Sequence, residues 1–413
     1  MVNLPDQQSI NGCFMSVIIV GGGHAAGQAA ASLRQEGYEG AITIIGEEPH
    51  PPYQRPPLSK QYLAGEQSID KVYLRPEAFY EGKDISLKKG TRVESLDTKA
   101  KSVTTSAGET LSYEHLIIAT GTRPRQLPIP GADLNGVHYL RTIADVDGIR
   151  AELSAGKKLV IVGGGYIGLE VAAVAIEAGL QVTVLEMEDR ILQRVTTTQM
   201  SEFYTALHSS RGIDIRTNTG ASALTGDGQV EAVVCGEEEI AADLVVVGIG
   251  VIPNTELAQE AGITCDNGVV VDNRCKTSAD AVYAIGDCSN HPNDLLDRRL
   301  RLESVPNAME QARVTAATIV GKDKTYNSMP WFWSDQYELK LQMLGFSADG
   351  EETVQRGDMA ANEFAVFYLK DDKIVAVDAV NCPREFMAAK QLVGKVVDKS
   401  RLADNNVPIK ELL

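Results

Sequence analysis

A run of buried-strand residues that breaks into closely spaced glycines and then into a helix occurs twice in this chain of 413 residues. Val17-Ile18-Ile19-Val20 runs into Gly21-Gly22-Gly23-His24-Ala25-Ala26, and Leu159-Val160-Ile161-Val162 runs into Gly163-Gly164-Gly165-Tyr166-Ile167-Gly168. The first glycine permits the tight turn out of the strand. The second lets a pyrophosphate approach the backbone, and the third lets helix and strand pack closely while free N–H groups at the helix start face the phosphates. Ala26 takes the third position in the first motif, which the fingerprint allows. An acidic residue roughly twenty positions on accepts hydrogen bonds from the adenosine ribose. Glu186 closes the strand-like run Gln181-Val182-Thr183-Val184-Leu185, and Glu47 follows Gly46 after Ala41-Ile42-Thr43-Ile44-Ile45. One such motif suggests a dinucleotide site. Two suggest an enzyme that holds two dinucleotides and passes electrons between them.

Composition narrows the class. The length predicts two to three domains, each able to bury its own core. With 44% hydrophobic and 23% charged residues the chain reads as globular, and it contains no run of about eighteen apolar residues that would span a membrane. Residues 1–14 are polar, without a basic start or an apolar core; they read as a disordered extension, with Met15 as a natural start. Six scattered cysteines without a CxxC pair predict reduced thiols in a cytoplasm. A net charge of −17 argues against a nucleic-acid partner. The histidines are scattered and no His/Cys cluster suggests a metal. His24 reads as a packing or phosphate-side residue.

Further strand-like runs end where a cofactor could lie. Leu116-Ile117-Ile118-Ala119 ends at Thr120-Gly121, Leu244-Val245-Val246-Val247-Gly248 leads to Ile249-Gly250, and Val282-Tyr283-Ala284-Ile285 ends at Gly286-Asp287. In the first glycine-motif helix, Ala26, Ala29, Ala30 and Leu33 form an apolar face at helical spacing to which Gly27 adds nothing. The block after Trp331 alternates like β-strands, as in Phe364-Ala365-Val366-Phe367-Tyr368 and Ile374-Val375-Ala376-Val377, and a helix is predicted over 384–393.

Several stretches together resemble a known family. They are Pro52-Tyr53-Gln54-Arg55-Pro56-Pro57-Leu58-Ser59-Lys60, Ala119 through Arg125, Tyr139-Leu140-Arg141-Thr142, Gly163 through Glu170, Ala284-Ile285-Gly286-Asp287-Cys288, Glu303 through Ala308, and Pro330 through Gln336. Over almost all of residues 15–413, and in order, the chain is similar to the FAD-dependent NADH:ferredoxin reductases of bacterial oxygenase systems. That resemblance implies an α/β, glutathione-reductase-like fold: two Rossmann-like dinucleotide-binding domains with an α+β C-terminal domain. The FAD domain would comprise 15–122 and 253–330, the NAD domain 123–252 and the C-terminal domain 331–413.

The resemblance also implies roles. Gly21, Gly23, Ala25, Ala26, Glu47, Lys60, Val93, Thr120, Gly121, Arg141, Asp287 and Val305 would serve FAD. Gly163, Gly165, Tyr166, Ile167, Gly168, Glu186 and Gly250 would serve NADH. Lys60 would border the flavin N5 edge and Glu170 would neutralise it, while Trp333 would lie near the flavin on the ferredoxin side. Val305 precedes an expected helix starting near Pro306-Asn307, whose positive end would favour charge on reduced flavin. Related disulfide reductases need a cysteine beside the flavin, yet none lies between Cys13 and Cys235. The electron acceptor is therefore external. The expected partner is a [2Fe–2S] ferredoxin that feeds a haem monooxygenase or a ring-hydroxylating oxygenase. The alternatives are a rubredoxin reductase and an apoptosis-inducing-factor-like flavoprotein that senses NADH. Ferredoxins of this type are acidic, so a basic patch must steer docking. The densest basic cluster, Arg298-Arg299-Leu300-Arg301, with Arg313 beyond it, is the candidate.

Overall fold

The computed structural model describes residues 15–412, so the expectation for residues 1–14 falls outside it. The chain divides into two compact units. One holds the described residues up to Gln54 with Tyr73–Arg123 and Pro253–Ser328; the other holds Arg55–Val72, Pro124–Ile252 and the residues from Met329 on.

The first unit is built on five parallel strands in the order Val282–Ala284, His115–Ile118, Ser16–Val20, Ala41–Ile45 and Ile85–Lys88. A parallel sheet covered on both faces needs strands that are apolar on both sides. The central strand meets that need: Val17 and Ile19 enter one core, and Ile18 and Val20 enter another. On the first face lies the helix His24–Glu36, with Ala26, Ala29, Ala30 and Leu33 fully buried as their spacing predicts. It packs against the helix Val305–Ile319, and small residues on both (Ala308, Ala312 and Ala316 on the second) allow a close approach. The second face is closed by the antiparallel meander Val93–Asp97, Ser102–Thr105 and Thr110–Ser112, which contributes Val93, Leu96 and Val103.

The second unit repeats this plan. Its parallel sheet runs Asp214–Arg216, Gln181–Leu185, Lys158–Val162, Leu244–Val247 and Val137–Tyr139. A meander of Ala223–Thr225, Ala232–Cys235 and Glu238–Ala241 again covers one face. One strand differs in origin. The edge strand beside Leu244–Val247 comes from before the glycine motif, whereas its counterpart in the first unit, Val282–Ala284, comes last.

The same unit carries an antiparallel sheet in the order Trp331–Gln336, Leu339–Leu344, Lys373–Val380, Glu363–Lys370 and Glu352–Asp358. The helix Pro383–Leu392 covers it, one residue displaced from the expected 384–393. Buried Arg356 donates to the carbonyls of Leu402, Asp404 and Val407 and ties down the last segment.

The reading of Gly27 needs correcting. A Cβ there would lie 2.6 Å from Pro52 Cβ and 2.9 Å from Leu74 Cδ2, so the missing side chain is what lets the helix settle on these residues. Alanine is worth about 1 kcal/mol over glycine inside a helix, but overpacking typically costs about 1–3 kcal/mol. Gly27→Ala should therefore destabilise the protein despite its better helix propensity. Urea unfolding of the two proteins checks this, and a raised midpoint would show that Pro52 and Leu74 yield freely.

Candidate cofactor and electron-transfer site

In the first unit the carboxyl ends of the parallel strands collect the expected residues. Gly21 leaves its strand at φ +119°, and a Cβ on it would lie 2.2 Å from the carbonyl oxygen of Ala119. No atom lies within 4 Å of where a Cβ on Gly23 would sit. The loop is thus tight against the sheet at Gly21 and open at Gly23, as a phosphate cradle requires. Thr120 and Gly121 follow the neighbouring strand. Thr120 Oγ1 donates to the Asn254 carbonyl at 2.7 Å, and Asn254 Nδ2 returns a bond to the Thr120 carbonyl at 2.9 Å. Asp287 stands in the 3₁₀ turn Gly286–Cys288 after Val282–Ala284. That turn is held by Gln311, whose Oε1 accepts from the Gly286 amide at 2.7 Å. Val305 is the first residue of its helix; the Ser304 side chain caps it by accepting from the Asn307 amide at 3.4 Å.

Two first-unit residues need comment. Glu47 pairs with Arg92 at 3.1 Å, both side chains exposed. His24 opens the glycine-motif helix with both ring nitrogens buried and unpartnered, and burial, reinforced by Arg75, pulls its pKa down to about 4.

The second unit builds the same cradle. Gly163 has φ +112°, and its Cβ would lie 2.4 Å from the Gly248 carbonyl oxygen. The space at Gly165 is open. A Cβ on Gly168 would meet the Gly163 oxygen at 2.3 Å, which accounts for glycine at the helix–strand contact. Glu186 is held at the strand's end: its Oε2 accepts from the Gly164 amide at 2.8 Å and its Oε1 from the Glu188 amide at 3.0 Å. Gly250, at φ +100°, accepts at its carbonyl from the Arg125 amide at 2.9 Å. Ile167 and Met187 are exposed apolar side chains flanking this loop. Tyr166 donates to Met343 Sδ and packs 5.5 Å from Phe332, and burial drives its phenol pKa well above the usual value.

Lys60 and Glu170 come together as expected. Lys60 Nζ lies 2.6 Å from Glu170 Oε2, the two side chains 11% and 4% exposed. Glu170 also accepts from Ser59 Oγ at Oε2 and from Ser334 Oγ at Oε1, the latter at 2.6 Å. The carboxylate thus stays hydrogen-bonded on both oxygens, which a buried charge requires. Lys60 and Arg141 belong to the second unit, not to the unit carrying Gly21 and Asp287. The Arg141 carbonyl accepts from Arg55 Nη1. Trp333 lies half-buried at 5.6 Å from Trp331, which packs on the C-terminal core beneath Lys390.

The basic cluster is a strand of a hairpin, Arg298–Leu300 paired with Ser289–Asn293. Arg299 donates to the carbonyls of Val271 and Asn290. Arg301 pairs with Glu303 at 2.7 Å and donates to Asn267. Arg313 pairs with Glu310 on its own helix and is partly exposed. Sequence reasoning missed the groups behind Glu170: Ser334 and Gln336 lie in the family-like stretch 330–336 without a role assigned to them, and His208 matches no motif. It also missed Asp378, a buried carboxyl bonded by Thr196 and Tyr368, whose pKa burial raises to about 6. Among the described residues no helix is long and apolar enough to cross a membrane, and no cluster of ligating side chains could hold a metal.

Comparison with known proteins agrees with this geometry. Residues 15–312 match the family described as pyridine nucleotide-disulphide oxidoreductase, and residues 331–413 match a reductase C-terminal family. The chain is 44% identical to putidaredoxin reductase of Pseudomonas putida, over 96% of each protein. It is 39% identical to a rubredoxin-NAD(+) reductase of the same organism, over 90% of this chain and 97% of the relative. The crystal structure of a covalent putidaredoxin reductase–putidaredoxin complex superposes with a TM-score of 0.93 at 44% identity, covering 96% of this chain and 98% of that one. The doubled glycine cradle, the matched span and these identities lead to one conclusion: this chain belongs to the pyridine nucleotide-disulphide oxidoreductase family.

Proposed function

We propose that this protein is an FAD-dependent NADH:ferredoxin oxidoreductase, which passes electrons from NADH through FAD to a [2Fe–2S] ferredoxin serving an oxygenase. The observation that carries the reading is two glycine cradles of the same geometry in one chain, with no thiol among the described residues poised for disulfide chemistry. Cys275 and Cys288 are buried, and burial pushes the Cys275 thiol up to about 12 and raises that of Cys288. A thiol so protonated is a poor nucleophile. Electrons must therefore leave to a separate carrier. Among the relatives, putidaredoxin reductase and the ferredoxin reductase component of an anthranilate 1,2-dioxygenase system favour a ferredoxin over a rubredoxin as that carrier.

When bound, FAD accepts a hydride from NADH and releases the electrons singly. The chain's own residues bind and orient. The open backbone at Gly23 suits the FAD pyrophosphate and that at Gly165 the NADH pyrophosphate. We assign Ala25, Ala26, Glu47, Val93, Thr120, Gly121, Arg141, Asp287 and Val305 to FAD, and Tyr166, Ile167, Gly168, Glu186 and Gly250 to NADH. Lys60 holds a positive charge for the flavin's reacting edge, Glu170 keeps that charge in place, and Trp333 serves the ferredoxin side; these roles rest on the family motifs. The three-domain division, with 331–413 as a domain of its own, rests on the separate family match of that segment. We propose a cytoplasmic location, a reading that the free thiols of the described residues support.

The glycine geometry separates folding from binding. Gly165→Ala should leave the melting temperature unchanged and FAD content intact, yet raise KM for NADH at least about tenfold, since a methyl enters the phosphate space. Gly163→Ala should fold poorly, because its Cβ meets a carbonyl at 2.4 Å. Equal melting losses in the two variants would overturn this division.

Nicotinamide choice follows from Glu186. Its carboxylate is fixed by two backbone amides and repels a 2′-phosphate. The kcat/KM for NADH should exceed that for NADPH by about a hundredfold or more, and Glu186→Arg should narrow the gap. Equal values in the unaltered enzyme would remove Glu186 from the site.

Docking can be divided in the same manner. Arg299 is committed to two carbonyls, so Arg299→Glu should lower the melting temperature. Arg313→Glu should leave melting unchanged and raise KM for ferredoxin but not for NADH. That effect should fade as salt rises through about 0.1–0.5 M, where screening lengths fall below about 10 Å. A ferredoxin KM indifferent to salt and to Arg313→Glu would move docking to another surface.

A further inference from the structure

Behind the Lys60–Glu170 pair, within the second unit, a line of polar side chains runs through the C-terminal sheet. Ser334 Oγ bonds Glu170 Oε1 at 2.6 Å, Gln336 Nε2 bonds Ser334 Oγ at 3.1 Å, His208 Nε2 lies 2.7 Å from Gln336 Oε1, and Tyr337 Oη lies 3.0 Å from His208 Nδ1. Ser334, Gln336 and His208 are 1% exposed or less. The outer end is covered by Arg211, which lies over the Tyr337 ring at 4.6 Å and pairs with Glu338 at 2.6 Å.

Donor and acceptor roles follow from the inner end. A carboxylate only accepts, so Ser334 donates its hydroxyl hydrogen to Glu170. The Ser334 oxygen must then accept, which makes the Gln336 amide nitrogen the donor and its oxygen the next acceptor. His208 consequently carries its proton on Nε2 and accepts from Tyr337 at Nδ1. Every donor in the line points toward Glu170, and aligned bonds of this kind polarise one another. Burial keeps His208 neutral, with its pKa pulled down to about 4, which this arrangement requires. Gln336 interrupts the line as a proton path, since an amide does not exchange its proton through the side chain as a hydroxyl or an imidazole does. What remains is an anchor.

We infer that Ser334, Gln336 and His208 are positioning residues that hold the Glu170 carboxylate, and through it the Lys60 ammonium, at a fixed place during flavin reduction by NADH. The inference rests on the reading of the chain as an NADH-dependent flavoprotein reductase. Two consequences distinguish it from a general packing role. Glu170 keeps a hydrogen bond from Ser334 on Oε1 whatever Lys60 does at Oε2, so the carboxylate does not turn when the lysine shifts. The anchor also lies on residues outside both glycine motifs, so disturbing it should alter the rate of hydride transfer while leaving cofactor affinity alone.

The test uses the FAD-loaded enzyme and two readouts. Rapid-mixing absorbance follows bleaching of the flavin by NADH. Ser334→Ala should slow bleaching roughly tenfold, with the NADH concentration at half-maximal rate changed less than about twofold. Ser334→Thr, which keeps the hydroxyl, should restore most of the rate. His208→Phe should slow the same step by a smaller factor. The second readout is a melting-temperature cycle of Ser334→Ala, Glu170→Gln and the double variant, which needs no NADH. The loss in the double variant should fall short of the sum of the single losses, because the two residues share one bond. Unchanged bleaching in Ser334→Ala, failure of threonine to rescue, or additive melting losses would each overturn the inference. If NADH does not bleach the unaltered enzyme, the reductase reading itself fails, and the melting cycle tells that failure apart from an absent anchor.

Discussion

The fold turns on how closely a strand's exit can pass beneath its neighbour. At Gly21 and again at Gly163, the position a Cβ would take is within 2.4 Å of a carbonyl oxygen on the adjoining loop. Any side chain would force the loop outward and carry the helix start with it. With hydrogen there, the helix begins at once and its first amides stay free at the carboxyl edge of the sheet. Other residues proposed to hold the cofactors are then placed by the strands themselves, since Glu186, Thr120 and Asp287 each stand where a parallel strand ends.

A second constraint is the buried charge of Glu170. A carboxylate 4% exposed is tolerable only when its oxygens are bonded, and here a lysine and two serines supply the bonds. Those donors come from two separate stretches of chain, Ser59-Lys60 and Ser334, and the carboxylate from a third. Holding one charge therefore draws together the Lys60 loop, the glycine-motif helix and the first strand of the C-terminal sheet.

Much of this was legible in the sequence because it depends on local pattern. Strand–glycine–helix junctions, apolar runs and the acidic residue after a strand are short-range features. The alanine face of the first helix and the placement of Glu186 followed from them. The Lys60–Glu170 contact came instead from family resemblance, since nothing in the spacing of two residues so far apart predicts it. What escaped was what depends on approach between distant segments. Gly27 looked idle until Pro52 proved to lie against it. His208 carries no motif, Gln336 closes a family-like stretch that says nothing of its partner, and the meaning of both arises only where a helix and a strand face each other. The arginines of 298–301 formed a plausible patch as text, yet backbone carbonyls hidden from the sequence claim Arg299.

The odd origin of one edge strand has a consequence for biogenesis. In the second unit all five parallel strands fall within one stretch of the chain, from Val137 to Val247. The first unit begins earlier but lacks its edge strand until Ala284 emerges. On the ribosome, where synthesis proceeds at about 5–20 residues per second and domains fold as units, the sheet that starts second is finished first. His115–Ile118 must meanwhile wait with an open edge while a whole nucleotide-binding sheet assembles between it and its partner. The order of synthesis and the order of folding are thus opposed in this chain, and the interval between them is when it is most exposed to mispairing at that edge.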